Sequence, residues 1–214
     1  MTRPSQNTDR LLLDTARAMV PDTGFTGLKI REVARRAGVN LGMFHYHFKS
    51  KELFTRRLLQ EAYEDFFAKL TLESEGPGTP MERLGRALTV VARFGRENRR
   101  LLMVLIAEVL RGHKGCAEFA KENVPRHAAV LAALIAEGQR AGQIRPAPMP
   151  IAMAYAMGGM GVPNLVVTMM ERAGAKRPFG RTLAELSDLM LSDEAITMRV
   201  EIILAGLAAP GKGR

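Results

Sequence analysis

One cysteine, Cys116, stands among 214 residues. That excludes an internal disulfide framework and suits a reducing cytoplasm. Histidine is nearly as scarce, at four. His113 and Cys116 lie three apart, but a lone His-x-x-Cys lacks a third and fourth ligand, and no His or Cys cluster supplies them, so no metal site is expected. Nucleophile elbow, Walker loop and dinucleotide-binding glycine pattern are all missing, which argues against an enzyme and against a bound cofactor. The opening MTRPSQNTDR lacks the apolar core of a signal peptide. No β-type alternation of useful length occurs, so the chain reads as all-α.

Acid is the minority charge, with 22 Asp and Glu facing 31 Lys and Arg, a formal net charge of +9 and a pI near 10.2. The shortage is uneven. Residues 1–60 hold 11 Lys and Arg against 5 Asp and Glu, and the remaining 154 hold 20 against 17. A generic basic surface predicts no such concentration; a polyanion partner at the N-terminal end does.

What is present there is the stretch Lys29 to Lys51, KIREVARRAGVNLGMFHYHFKSK. Ile30, Val33, Ala34 and Ala37 recur at helical spacing and line one face of a short helix that also carries Arg31, Arg35 and Arg36. Gly38 tolerates the left-handed conformation that ends helices, and Val39 plugs the corner that follows. Asn40 is a good N-cap for a second short helix, about Leu41 to His47. Two short helices across a glycine corner form a helix-turn-helix, whose second helix enters the DNA major groove. Phe44 and Phe48 face inward, which leaves Leu41, Gly42, Met43, His45, Tyr46 and His47 partly or wholly outside. Ser50 caps a third helix. Lys51, ill placed beside a helix N-terminus, makes sense where a phosphate binds.

Residues from about Asp9 to Phe67 resemble the DNA-binding domain of the tetracycline-repressor (TetR) family of bacterial regulators. The matching positions are Gly24-Phe25, Ile30, Val33-Ala34, Ala37-Gly38-Val39, Gly42, Phe44, His47-Phe48 and Ser50-Lys51-Glu52. Lys29 stands where the family usually has a Ser or Thr cap, His45 where it has a phosphate-contacting tyrosine, and Leu41 and Met43 where polar residues are frequent. The resemblance implies a homodimer on a palindromic double-stranded operator, with DNA binding relieved by a small-molecule effector. Lys29, Arg31, His45 and Lys51 are phosphate candidates, together with Arg35 and Arg36, for which a solvated helix face is the alternative. Asn40, Leu41, Met43 and Tyr46 are base-edge candidates, and Gly42 and His47 complete the surface.

Around this stretch, Thr2 to Thr8 form a polar arm, and Leu12, Leu13, Ala16 and Met19 mark a helix from Asp9 to about Val20 that Pro21-Asp22-Thr23-Gly24 breaks. A connector helix spans 51–72, with Leu53, Phe54, Leu58, Ala62, Phe66 and Leu70 on its apolar side. These boundaries give a DNA-binding domain at 1–50 and an effector-binding and dimerisation domain at 73–214. Start signals stand at Thr79-Pro80-Met81-Glu82, Thr182-Leu183-Ala184-Glu185 and Ser192-Asp193. Helices are expected at Glu97 to Arg111, at Ala117 to Ala141 with Pro125 kinking or starting it, and at Glu194 to Leu207. Pro210 onward is a basic tail.

From Pro146 to Met170 no charged residue occurs. About 20 apolar residues can cross a bilayer, but Gly158, Gly159, Gly161, Pro163 and Asn164 interrupt this run, so no membrane span is expected. A charge-free helix must be covered on most sides, and by the family resemblance it and the last helix form the dimer pair. Eight of the 13 methionines lie between Met149 and Met198. They are either dimer core or part of an effector pocket lined by Met103, Phe119, Met153, Met157 and Met160, with Tyr155, Asn164 and His127 as polar groups. A different class of protein, a helical interaction or membrane-surface module with a basic patch, would show no sequence preference on DNA.

Overall fold

The computed structural model describes residues 7–210. Among them the chain folds into ten α-helices: α1 Thr8–Gly27, α2 Ile30–Arg36, α3 Leu41–Phe48, α4 Lys51–Glu75, α5 Pro80–Glu97, α6 Arg99–Leu110, α7 Lys114–Arg140, α8 Met149–Arg172, α9 Leu183–Leu191 and α10 Asp193–Leu207. A 3-10 turn at Pro178–Gly180 and an isolated bridge between Ile144 and Ala208 are the other named features, and no strand occurs in this range. Most of the polar arm and the tail past Pro210 lie outside the described residues.

Two compact units divide the chain. The first joins the described part of Met1–Glu64 to Arg100–Asn123, and the second joins Asp65–Arg99 to the described part of Val124–Arg214.

In the first unit α1, α2 and α3 pack on one another. Leu12, Leu13, Ala16, Val20 and Phe25 of α1 are almost wholly buried with Val33 and Phe44. The break expected at Pro21-Asp22-Thr23-Gly24 falls at its last residue rather than its first. Helix α1 runs straight through Pro21, and its geometry breaks at Gly24, with φ +67 and ψ 171. Proline forbids its own N–H bond but leaves the turn after it intact, whereas a left-handed residue reverses the chain. Leu53, expected on the apolar side of α4, is exposed, and Leu59 and Tyr63 are buried as well as the expected Phe54 and Leu58.

The second unit is built on α5, which packs against α8 and α10, while α9 lies against both of those. Thr79 and Glu82 form a full capping box at the start of α5, Thr182 and Glu185 another at α9, and the Ser192 hydroxyl caps α10. Small residues set the close approaches. A Cβ on Gly85 would meet Leu204 at 3.0 Å, and one on Gly95 would meet the Asn164 amide at 2.8 Å. Pro125 and Pro163 sit inside α7 and α8 without ending them, and α7 starts at Lys114, before the expected Ala117. By length and composition α8 is apolar enough to cross a membrane. Its Ala152, Ala156, Met160, Asn164, Val167 and Thr168 are nevertheless buried inside the unit.

Candidate nucleic-acid interface

The turn between α2 and α3 is closed by backbone bonds that its sequence dictates. Gly38 takes φ +66. The Val39 N–H then donates to the Ala34 carbonyl at 2.9 Å and the Gly38 N–H to Arg35 at 3.2 Å, the paired bonds of a Schellman C-cap. Two residues later the Asn40 side chain accepts from the Gly42 N–H at 2.8 Å, satisfying an N-terminal donor of α3. A glycine and an asparagine thus fix the angle between two helices of seven and eight residues.

Helix α3 is held from beneath by aromatic rings. Phe44 and Phe48 are buried, their centroids 5.5 Å apart, and Phe54 of α4 meets them at 5.1 and 4.7 Å. The opposite side is open. Gly42, His45 and Tyr46 are exposed, Tyr46 at 68%, while Leu41, Met43 and His47 are half-buried. His45 and His47 point different ways. His45 stands in solvent, and His47 is wedged between the rings of Tyr46 and Phe48 with its Nε2 buried and unpartnered.

Cations frame this helix on both sides. Lys29 and Arg31 are exposed at the start of α2. Arg35 donates to both Glu32 oxygens, at 2.8 and 2.7 Å, and Arg36 donates to one of them at 2.7 Å. These bonds, Arg35's foremost, pull the Glu32 carboxyl from an ordinary 4.5 down to about 2. Two of the six candidate phosphate cations are therefore already paired. Lys51 caps nothing on its own helix; its ammonium donates to the Thr26 carbonyl at 2.8 Å. That leaves two of its three N–H groups uncommitted.

Lys49, between α3 and α4, escaped the sequence reading. It is exposed, with φ 60 and ψ −50, and the Ser50 N–H bonds back to the Phe48 carbonyl at 2.6 Å. A non-glycine residue in that tight turn is strained. Nothing in a lysine side chain announces such a conformation.

The effector candidates divide. Met103 and Phe119 belong to the first unit, where Phe119 is buried against Tyr63 with centroids 5.9 Å apart. The other six belong to the second. His127 meets the edge of Phe66, which stacks on Phe94 at 4.3 Å. Asn164, buried on α8, abuts the adjacent Gly95 and donates to the Met160 carbonyl at 3.0 Å. Phe66, which His127 meets, and Asn164 thus lie against consecutive residues of α5. Tyr155 lies instead on the outer side of α8 beside Gly206 of α10, and Met153 and Met157 are half-buried. The His113–Cys116 spacing is that of a helix cap: His113 Nδ1 accepts from the Cys116 N–H at 3.3 Å. Among the described residues no three His, Cys, Asp or Glu gather as metal ligands.

Residues 12–57 match the model of bacterial regulatory proteins, tetR family. The HTH-type transcriptional regulator AcrR of Shigella flexneri is 34% identical over 107 residues, 48% of this chain and 49% of that protein, so the likeness spans about half the relative's length. Two solved structures share the fold over nearly all of their length. The ketosteroid transcriptional regulator KstR2 of Mycobacterium tuberculosis superposes with a TM-score of 0.71 at 18% identity, covering 97% of this chain and 98% of that one. The transcriptional regulator FadR of Bacillus subtilis, in complex with stearoyl-CoA, gives 0.69 at 18% identity, covering 92% and 98%.

Proposed function

We propose that this chain, which belongs through its residues 12–57 to the tetR family of bacterial regulatory proteins, is a cytoplasmic homodimeric repressor. It binds a palindromic operator and leaves it when a small molecule binds. The observation that carries this reading is α3: a capped helix, seated on Phe44, Phe48 and Phe54, that turns Gly42, His45 and Tyr46 outward in the most basic part of the chain. A helix so mounted suits the major groove.

In this reading Lys29, Arg31, His45 and Lys51 hold phosphates and fix the register, and Asn40, Leu41, Met43 and Tyr46 read base edges. Asn40 keeps its amide N–H groups for that purpose, since only its oxygen serves as the cap. Leu41 and Met43 suit thymine methyl groups. Arg35 and Arg36, bound to Glu32, contribute less.

The dimer is supported by the outer faces of α8 and α10. Ile151, Tyr155, Val162 and Met169 on α8, and Met198 and Ile202 on α10, are all exposed. Two-fold dimers bury one shared apolar patch, and two copies would set their α3 helices in major grooves about 34 Å apart. The effector neighbourhood is the turn of α5 that carries Phe94 and Gly95, with Phe66, His127, Met160 and Asn164 around it. The bound ligand in the FadR complex is a precedent for a ligand in this fold.

Genomic footprinting with the purified protein tests the reading. Protected sites with approximate two-fold symmetry are expected. Binding without sequence preference, or an asymmetric footprint, would falsify it and favour an interaction module with a basic patch.

A further inference from the structure

We infer that Glu108 is a positioning residue for Lys51: through Thr26, this buried carboxylate holds the lysine that the proposed function assigns to a DNA phosphate. The inference rests on that reading for its consequence on DNA, but the link itself is a property of the folded first unit.

Glu108 lies in the last turn of α6, where the helix dipole disfavours an acid. It is only 4% exposed, so its oxygens need donors inside the fold. Thr26 supplies two. The Thr26 N–H donates to Glu108 Oε1 at 3.3 Å and its hydroxyl to Oε2 at 3.0 Å. The third polar group of Thr26, its carbonyl, accepts from Lys51 Nζ at 2.8 Å. One threonine therefore joins the end of α6 to the start of α4.

Gly24 makes room for this. Its φ of +67 turns the chain out of α1, and a Cβ there would stand 2.9 Å from Glu108 Oε1. A side chain would strain the backbone and push the carboxylate off Thr26 together. The end of α6 is equally fixed: Gly112 takes φ +80, and the His113 N–H donates to the Glu108 carbonyl at 2.9 Å. Carboxylate and threonine meet across two helix ends that glycine has terminated. Lysine has a flexible four-carbon stem, and the Thr26 carbonyl holds its ammonium in one place with two N–H groups left for an anion.

The test is a double-mutant cycle on the full-length protein, pairing Glu108→Gln with Lys51→Ala. Duplex DNA from the footprinted site and an unrelated duplex are titrated across a range of salt. Glu108→Gln is expected to weaken binding to both duplexes alike, by about tenfold, and to lower the salt slope toward that of Lys51→Ala. The loss caused by Lys51→Ala should shrink in the Glu108→Gln background. Hydrogen exchange at the Thr26 amide should accelerate in Glu108→Gln, and this readout needs no DNA. Additive effects with an unchanged slope, or an unchanged Thr26 exchange rate, overturn the link. If the wild-type protein prefers no sequence, the proposed function falls, and Thr26 exchange alone then decides whether Glu108 holds that junction. Thr26→Val, which removes only the hydroxyl bond, repeats the measurement if Glu108→Gln does not fold.

Discussion

Helices α2 to α4 and helices α8 to α10 solve opposite problems with the same secondary structure. Around α3 the buried face is aromatic and the exposed one carries histidine, tyrosine and flanking cations. Along α8 and α10 apolar residues lie on both sides. Met160, Val167, Val200 and Ile203 are inside the unit, and Ile151, Val162, Met198 and Ile202 are outside. Scattered exposed apolar residues are ordinary, but a set repeated at helical spacing on two packed helices is the feature from which the dimer interface is proposed. In the proposed function the first surface meets a hydrated polyanion and the second meets another copy of itself.

The largest predicted effect attacks the inner side of the first region. Phe44→Ala removes the ring that touches both Phe48 and Phe54, and should cost about 3–5 kcal/mol. Chemical denaturation should show the first unit melting early while the second keeps its own transition. Next comes the outer side of the second region. Val162→Asp or Ile202→Asp places a charge in the proposed interface and leaves the unit's interior untouched. Sedimentation should show the dimer weakened by about a hundredfold or more, as expected for an unpaired charge in a closed contact. A persistent dimer would mean that the apolar outer face has another use.

A third substitution separates the roles of cations from those of the reading helix. Lys51→Ala should weaken binding to every duplex by about tenfold and reduce the salt slope by about one. Because Lys51 also bonds the Thr26 carbonyl, a small loss of stability accompanies it. Met43→Ala should leave the slope alone and change the preference among operators. Equal effects of the two on slope would erase the proposed division between phosphate and base contacts.

Local signals in the sequence carried far. The Gly38 corner, the Asn40 cap, the inward Phe44 and Phe48, and both capping boxes each depend on residues within about five positions, and each formed as the residues require. What escaped depends on distant partners or on the backbone. Pro21 looked like a helix end, yet the break waits for Gly24, whose conformation is fixed beside Glu108, 84 positions away. Leu53 fitted the apolar spacing of α4 and still faces solvent. Glu108, a lone acid in the apolar run LLMVLIAEVL, drew no expectation, because only the fold names its partner, Thr26. The roles of Met43, Tyr46 and the effector candidates are a step further off, since they depend on molecules outside the chain.

The smallest effect sharpens the charge side of the comparison. Glu32 ionises near 2, mainly because Arg35 and then Arg36 hydrogen-bond its carboxylate. Its folded-state value lies below the ordinary 4.5, so its contribution to stability is fully present above about 4.5 and fades as the pH falls toward 2. The group is at the surface and the pair is screened by solvent, so the effect is slight. Stability of the wild type and of Glu32→Gln, followed from pH 6 to pH 2, should converge at the acid end and differ above it. In the same variant both guanidiniums lose their internal partner. Binding to all duplexes should then tighten by a few-fold at low salt, with a steeper salt slope. If affinity and slope stay at wild-type values, Arg35 and Arg36 form a solvated face, and the phosphate-binding set reduces to Lys29, Arg31, His45 and Lys51.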